Sequence, residues 1–455
     1  MVSMDATIVN VALPAIRRDL AASTSGLQWV IDSYTMVVAS LLMLAGSLAD
    51  RYGRRRTFQI GMAVFTAGSA LCSAAPGLVS LVVFRIVQAL GASMLNPVAM
   101  SIITNTFIEP KARARAIGVW GAVVGVTMAL GPLVGGGLTD GIGWRSIFWI
   151  NLPFGVAAIV LAQRFVPESK TPRARRIDHV GQLLVFSALA SLTCAVIEGP
   201  DHGWTAPPIV GLFAITAASV IALLVYEPRH PEPLLDLRFF RSVPFASATV
   251  IAISLYIAFS GFLFLNALYL QEVRGLPAFE TGIYTLPLAL AMTACAPISG
   301  RLIGSRGTRP SLMIGGVAIA ASALCLTRLD DATALSWLVI VYLVLGAGIG
   351  MGNPPVTHTA VSGMPRAQAG LAAAVASTSR QVGAALGVAL GGTIARASST
   401  GRGAGSGLSA ATHAFWWLVV GAGALIAALG VLSSSRWARA SLGRVAALLD
   451  DAPEG

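Results

Sequence analysis

Apolar segments of about twenty residues recur along this chain from one end to the other. A helix of about twenty apolar residues crosses the hydrocarbon core of a bilayer, which is about 30 Å thick. Charged residues make up 11% of the 455 residues and hydrophobic residues 55%, whereas soluble domains carry about 25% charged residues. The chain is therefore predicted to be an all-α, polytopic membrane protein.

The apolar segments predict fourteen transmembrane helices. The predicted spans are 1–16, 27–49, 57–75, 78–104, 115–138, 146–166, 179–198, 208–227, 245–270, 280–303, 310–328, 335–358, 369–395 and 412–433. As a helix the first span rises only about 24 Å, which is short of the hydrocarbon core. We therefore expect the first helix to be truncated and the native protein to begin upstream of Met1.

The loop charges predict the orientation of the spans. If the first span leaves the cytoplasm, 22 of the 31 Lys and Arg residues fall in cytoplasmic loops and the tail, and seven fall outside. The other two, Arg85 and Arg380, lie within spans. Cytoplasmic loops collect Lys and Arg, so both termini are expected in the cytoplasm of a bacterium. The net charge of +11 has the same origin, and no nucleic-acid partner is expected.

Two loops in the sequence resemble each other. "GSLADRYGRRR" begins at Gly46 and "GRLIGSRGTRP" at Gly300, and in each a second glycine follows seven residues later, at Gly53 and Gly307. Related bundles around a central site are a common plan of transporters. The predicted parts are a six-helix bundle at 1–166, two inserted helices with linkers at 167–244, a second six-helix bundle at 245–433 and a cytoplasmic tail at 434–455.

Asp5 and Asp32 are the only acids well inside the predicted spans. Helical rise places Asp5 near the midplane and Asp32 about 8 Å below the outer end of its span. Acids at such depth are costly and usually functional, so we interpret them as proton or cation sites. The alternative is a structural ion pair with Arg85. Arg85 shares a helix face with Gln88, and a buried arginine needs an acceptor.

Arg380 and Gln381 form a similar intramembrane pair in the second predicted bundle, nearer the cytoplasm. A functional and a structural role are equally compatible with their position. His358, near the cytoplasmic end of its span, is interpreted as a polar packing residue.

The run "GAVVGVTMALGPLVGGG" spaces Gly121, Gly125, Gly131 and Gly135 along one span, with Pro132 among them. Glycines four residues apart let helix backbones approach closely, and proline loosens a helix. The run is interpreted as a bending or sealing element, and ordinary helix packing is the alternative.

Several chemistries lack support in the sequence. The four cysteines have no metal-ligand spacing, and GxxxxGK[ST], HExxH and GxSxG are absent. ATP-driven pumping within this chain and the familiar hydrolytic reactions are therefore not expected. We predict no enzyme activity, no cofactor and no metal.

Taken together, these motifs resemble the major facilitator superfamily. "GSLADRYGRRR", "RIVQALGA" and the glycine run match its loop, fourth-helix and exporter fifth-helix motifs, with Ala89 where the family usually has glycine. "MDATIVNVALP", "WVIDSYTM" and "WRSIFWINLPFG" resemble the fourteen-helix drug–proton antiporters of the EmrB/QacA type. The chain also looks similar to actinomycete antibiotic-resistance exporters of the methylenomycin type.

The resemblance implies a monomer in the cytoplasmic membrane that exports drugs or antibiotics, as amphipathic or cationic small molecules, in exchange for protons. An importer or a lipid or metabolite transporter on the same fold is the alternative. The residues expected to bind protons or substrate are Asp5, Asn10, Asp32, Arg85, Gln88 and Arg380. The residues expected to act in conformational gating are Gly46, Asp50, Arg51, Gly53, Arg54, Arg55, Gly121, Gly125, Gly131, Pro132 and Gly135.

By the same resemblance, Asp50 and the arginines after it form a cytoplasmic latch that steadies the outward-facing state. An acid at a helix C-terminus is unfavourable with the helix dipole. Nearby positive charge or a neighbouring helix N-terminus should therefore compensate Asp50.

Overall fold

A computed structural model gives the fold of residues 1–107, 109–170, 178–230, 233–362, 369–400 and 408–435, and of 437–445 except 439 and 443. No strand occurs within these ranges. The helices are α1 Val2–Leu20, α2 Thr24–Tyr52, α3 Arg54–Ser73, α4 Leu78–Thr106, α5 Pro110–Gly141, α6 Ser146–Trp149, α7 Asn151–Phe165, α8 His179–His202, α9 Pro207–Tyr226, α10 Val243–Leu268, α11 Ala278–Arg306, α12 Thr308–Leu326, α13 Leu335–Val361, α14 Ala369–Thr400 and α15 Leu408–Leu432.

Within the described ranges, eleven helical segments are long and apolar enough to cross a membrane. They confirm the prediction of an all-helical polytopic membrane protein. Three other helices, α1, α3 and α14, occupy predicted spans but are more polar. In α14 the sequence Ser-Thr-Ser-Arg, residues 377–380, interrupts the apolar run.

Three helix boundaries differ from the sequence prediction. The predicted span 146–166 is two helices, α6 and α7, that meet at Ile150. Pro153 lies in the first turn of α7, where a proline is tolerated because the first backbone N–H groups need no helical partner. The first helix runs four residues past its predicted end, to Leu20. A π-helical turn at Tyr269–Val273 continues α10.

The chain divides into two compact units. Unit 1 comprises Met1–Val220 and Asn266–Leu286, and unit 2 comprises Ile221–Leu265 and Pro287–Gly455. In unit 1, α4 packs on α2 and α3, α1 packs on α5, and the inserted helix α8 packs on α2. In unit 2, α12 packs on α13 and α15. Residues 171–177 of the predicted linker and most of the predicted tail 434–455 lie outside the described residues.

Close packing of α3 on α4 in unit 1 depends on glycine. A Cβ atom on Gly68 would lie 2.6 Å from the Cα atom of Gln88. The neighbouring residue in α3, Ser69, hydrogen-bonds the Gln88 side chain at 2.8 Å. The missing side chain at Gly68 therefore lets a polar contact form between the two helices.

The two similar loops share one backbone feature. Gly53 and Gly307 have φ angles of 107° and 77°, which favour glycine because it lacks a Cβ atom. Each comes directly before a helix, α3 or α12. The first glycines of the two motifs, Gly46 and Gly300, have open space around a Cβ position.

Candidate functional site

A buried ion pair lies inside unit 1. The Nη1 atom of Arg85 is 2.6 Å from Asp5 Oδ2, and the two side chains are 1% and 0% exposed. The same nitrogen donates to Gln88 Oε1 at 2.6 Å, and Arg85 Nε donates to the carbonyl of Val30 at 3.1 Å. The guanidinium carbon lies 4.1 Å from the centre of the Tyr34 ring, within cation–π range. The predicted pairing of Arg85 with an intramembrane acid is confirmed for Asp5.

Gln88 and Asn151 also hold the Asp5 carboxylate in place. The sequence analysis named Gln88 as a site residue, but it missed Asn151 and the Ser69 hydroxyl that both amides contact. Gln88 Nε2 donates to Asp5 Oδ1 at 2.9 Å and to Ser69 Oγ at 2.8 Å. Asn151 Nδ2 lies 3.3 Å from both Asp5 Oδ1 and Ser69 Oγ, and all four side chains are buried. Asn151 belongs to "WINLPFG", where a polar residue inside an apolar run was the available signal.

Asp32 lies in a different environment from Asp5. It is completely buried, and its only described side-chain partner is the Thr35 hydroxyl, at 3.3 Å from Oδ1. Within the described residues Oδ2 has no hydrogen-bond partner, and Arg85 does not bond this acid. Asn10 also lies outside the ion-pair network, because its amide donates to the Ala6 carbonyl of its own helix at 3.1 Å.

The two acids are therefore suited to different chemistry. Asp5 has an adjacent guanidinium, which stabilises the charged carboxylate. Moving an isolated carboxylate out of water costs free energy. A buried acid with no cation beside it is therefore more stable in its neutral, protonated form. Asp32 can accept and release a proton or a cation without breaking an ion pair.

The predicted gating loop connects three helices at one end of unit 1. Arg54 Nη2 bonds Asp50 Oδ1 at 2.8 Å, so the predicted compensation of Asp50 by nearby positive charge is confirmed. Arg54 Nε donates to Ser101 Oγ of α4 at 2.7 Å, and the Arg54 backbone N–H donates to the Ser169 carbonyl at 3.0 Å.

Glu168, which the sequence analysis missed, caps the start of α3. Its two carboxylate oxygens accept the backbone N–H groups of Arg55 and Arg56, each at 3.1 Å. A negative charge at a helix N-terminus is favourable with the dipole. A Cβ atom on Gly53 would lie 2.6 Å from a Glu168 oxygen, so this glycine leaves room for the cap. Arg51 is exposed beside the loop.

The glycines of α5 fall into two groups. A Cβ atom on Gly131 would collide with Thr7 of α1, and one on Gly135 would lie 2.5 Å from the side chain of Ile8, the next residue of α1. Around Gly121 there is open space, and Gly125 is half-buried. Gly131 and Gly135 therefore contribute to the close contact with α1, and Gly121 does not.

The same end of α5 also contacts the start of α11, within unit 1. A Cβ atom on Gly282 would lie 2.5 Å from the Pro132 carbonyl oxygen. Asp140 accepts the backbone N–H groups of Ala278 and Phe279, at 3.3 and 2.7 Å. A carboxylate at the first turn of α11 complements the helix dipole.

A second polar contact in unit 1 lies at the last turn of α1. Arg145 Nη1 and Trp144 Nε1 donate to Asp19 Oδ2, at 2.5 and 2.9 Å. The hydrogen bond from Arg145 is the main reason that the pKa of Asp19 lies below its usual value, and the bond from Trp144 adds to the effect.

Arg380 belongs to unit 2. Its Nη1 atom donates to the Thr357 hydroxyl of α13 at 3.1 Å, and its Nη2 atom to the Ser377 hydroxyl at 2.7 Å. The side chain is half-buried. No cluster of His, Cys, Asp or Glu suited to a metal ion occurs in the described ranges.

Comparison with known proteins places these features in a family. Residues 1–388 match the model of the Major Facilitator Superfamily. The chain is 39% identical over 396 residues to "Multidrug resistance protein Stp" of Mycobacterium tuberculosis, covering 87% of this chain and 73% of that protein. It is 33% identical over 400 residues to "Methylenomycin A resistance protein" of Streptomyces coelicolor, covering 88% and 84%.

The fold agrees with this relationship. A solved auto-inhibited peptide transporter of the POT family superposes with a TM-score of 0.66 at 17% identity, over 96% of each chain. The polytopic helical fold and the sequence relatives together define a membrane transporter. The chain belongs to the major facilitator superfamily, which confirms the resemblance drawn from its motifs. The prediction of a transporter rather than an enzyme is confirmed as well.

Proposed function

We propose that this chain exports drugs or antibiotics across the bacterial cytoplasmic membrane in exchange for protons. Relatives at 33–39% identity carry the names of multidrug and methylenomycin A resistance proteins. The bias of 22 to seven basic residues supports cytoplasmic termini. The helix order supports fourteen spans, with two inserted helices between two six-helix bundles.

The observation that carries proton coupling is the contrast between the two buried acids. Asp5 is bonded to Arg85 at 2.6 Å, and releasing it would leave a charge without a partner inside the protein. Asp32 has no such bond and is completely buried. We assign the transported proton to Asp32 and a fixed, structural charge pair to Asp5 and Arg85.

The gating residues follow from the contacts on each side of unit 1. Gly131 and Gly135 allow α5 to lie directly against α1, and we assign the exchange of facing states to this contact. Asp50, Arg54 and Glu168 join α2, α3 and the segment after α7, and we assign the cytoplasmic latch to them. One charge moving across 100 mV supplies about 2.3 kcal/mol, which is enough to drive concentrative export.

The test uses inverted vesicles that contain the full chain and an imposed proton gradient. Wild-type vesicles should accumulate a fluorescent cationic drug, and a protonophore should abolish the accumulation. Asp32→Asn removes the ionisable oxygen and keeps the shape, so it should bind the drug but not accumulate it. Asp201→Asn, at an exposed acid of α8, is the matched control and should behave as wild type.

Two outcomes would contradict the proposal. Gradient-driven accumulation by Asp32→Asn at the wild-type rate would remove this acid from the coupling mechanism. Wild-type accumulation that is insensitive to the protonophore, or transport only toward the cytoplasm, would rule out proton-coupled export itself.

A further inference from the structure

Unit 2 contains a guanidinium, that of Arg380, which has no ion-pair partner among the described residues. Arg380 lies eleven residues into α14, about 17 Å from its start. Its two described hydrogen bonds go to neutral hydroxyls, those of Thr357 and Ser377. Arg85 in unit 1, by contrast, is bonded directly to a carboxylate.

The sequence around Arg380 offers no carboxylate that could fill this role. Between Leu286 and Asp450 the only acids are Asp330 and Asp331. Both lie in the loop before α13, where they bind Thr333 and Ser409. Thr357 lies 22 residues along α13 from that end, a rise of about 33 Å. The helix α10 carries no acid either.

Three helices bring further polar groups to the same place. Tyr256 of α10 lies within electrostatic range of Arg380, and its side chain hydrogen-bonds Asn353 of α13. Asn353 is one helical turn before Thr357. Uncharged hydroxyl and amide groups from α10, α13 and α14 therefore lie near the guanidinium, and the hydroxyls of Thr357 and Ser377 contact it directly.

Arg380 is half-buried, so its guanidinium is partly removed from water, and two neutral hydroxyls do not supply the opposite charge that such a group favours. An arginine cannot escape this cost by losing its proton. Its planar fork of N–H donors matches a carboxylate, which can accept two parallel bonds. The arrangement thus provides one half of an ion pair, which an entering carboxylate would complete.

We propose that Arg380, with Thr357, Ser377 and Tyr256, forms a subsite for the carboxylate of an amphipathic substrate. The inference rests on the proposed export function and extends its substrate class from cationic and neutral compounds to organic acids and zwitterions. The hydroxyls orient the carboxylate beside the guanidinium, and the surrounding apolar helices accept the rest of the molecule.

The rival explanation is that Arg380 only links α13 to α14 through hydroxyls. That role predicts that changing the arginine weakens the binding of acidic and neutral ligands equally. The carboxylate subsite predicts that only the affinity for the acid falls. The comparison between an acid and its neutral amide therefore separates the two explanations.

The experiment measures binding of 2-naphthoate and of neutral 2-naphthamide to the purified full-length protein in nanodiscs, by the quenching of tryptophan fluorescence. Wild type should bind the acid at least tenfold more tightly than the amide, which is the range of a charge-assisted hydrogen bond. Arg380→Gln should make the affinities for the acid and the amide equal, and Arg380→Lys should keep part of the preference for the acid. Arg328→Gln removes an exposed charge from the loop after α12 and should change neither affinity.

A wild-type protein without preference for the acid would overturn the subsite, and so would an Arg380→Gln protein that keeps the preference. Binding is measured without a proton gradient, so failure of proton-driven export would not affect this result. Proton-driven export that persists while Arg380→Gln keeps the acid preference would refute the subsite alone. If Arg380→Gln does not fold, the ratio of the affinities for the acid and the amide is measured in Arg380→Lys instead. A ratio equal to that of wild type would then overturn the subsite.

Discussion

The Asp5–Arg85 ion pair leads to a prediction that can be tested by a double-mutant cycle. Both side chains are almost fully buried and 2.6 Å apart, so removal of either partner leaves the other charge uncompensated. Such a change costs about 3–5 kcal/mol of unfolding free energy. Asp5→Asn and Arg85→Gln should each show a loss of this size. The double variant places two neutral amides in contact and should lose less than either single variant.

The deficit of one single variant should be independent of pH. In Asp5→Asn the guanidinium cannot lose its proton, and the deficit should not vary with pH between 5 and 8.

The assay is unfolding in mixed micelles, titrated with sodium dodecyl sulfate and followed by circular dichroism. Gln88→Leu is a useful additional variant, because it removes a shared hydrogen-bond partner without removing a charge. Additive losses in the double variant would refute the reasoning, since additivity means that the two residues do not interact. A deficit of Asp5→Asn that varies with pH between 5 and 8 would refute the assignment of the charges.

Three further predictions follow from contacts in unit 1. Gly131→Leu should abolish transport without preventing insertion, whereas Gly121→Leu, with open space around it, should transport normally. Equal transport rates of the two variants in vesicles would show that the glycine run serves only ordinary helix packing. Glu168→Gln weakens the cap on α3 and should lower the unfolding free energy by about 1–2 kcal/mol, and an unchanged thermal midpoint would contradict this role. The bond from Arg145 lowers the pKa of Asp19, so its contribution to stability is present at neutral pH and is lost as the pH falls below about 4. The difference in thermal midpoint between wild type and Asp19→Asn should therefore be constant from pH 7 to 5 and should shrink as the pH falls below about 4.

The sequence predicts the helices of this protein well because a bilayer imposes a length and an apolar composition on each one. Spacing along a single helix also predicts shared faces, and Arg85 and Gln88 do reach the same carboxylate. The depths of Asp5, Asp32 and Arg85 were enough to name the two acids as possible partners of the arginine. These predictions depend only on helical geometry and on the cost of a buried charge.

Other features depend on which helices are neighbours, and spacing along one helix does not contain that information. Ser69 and Asn151 join the Asp5 network only because α3 and α7 pack beside α4 and α1. Glu168 caps α3 from 113 residues away along the chain. Depth alone also made Asp5 and Asp32 equally good candidates to pair with Arg85, whereas in the structure only Asp5 is bonded to it.

The carboxylate subsite proposed at Arg380 has a consequence for the energetics of transport. An organic anion that leaves the cell while one proton enters moves two positive charges inward, worth about 4.6 kcal/mol per 100 mV. That sustains a concentration ratio of roughly 2,000-fold. A neutral compound moves one charge and reaches about 50-fold, and a monovalent cation moves none. The membrane voltage would thus favour the acids over every other class of compound, even where the pocket bound them all equally well.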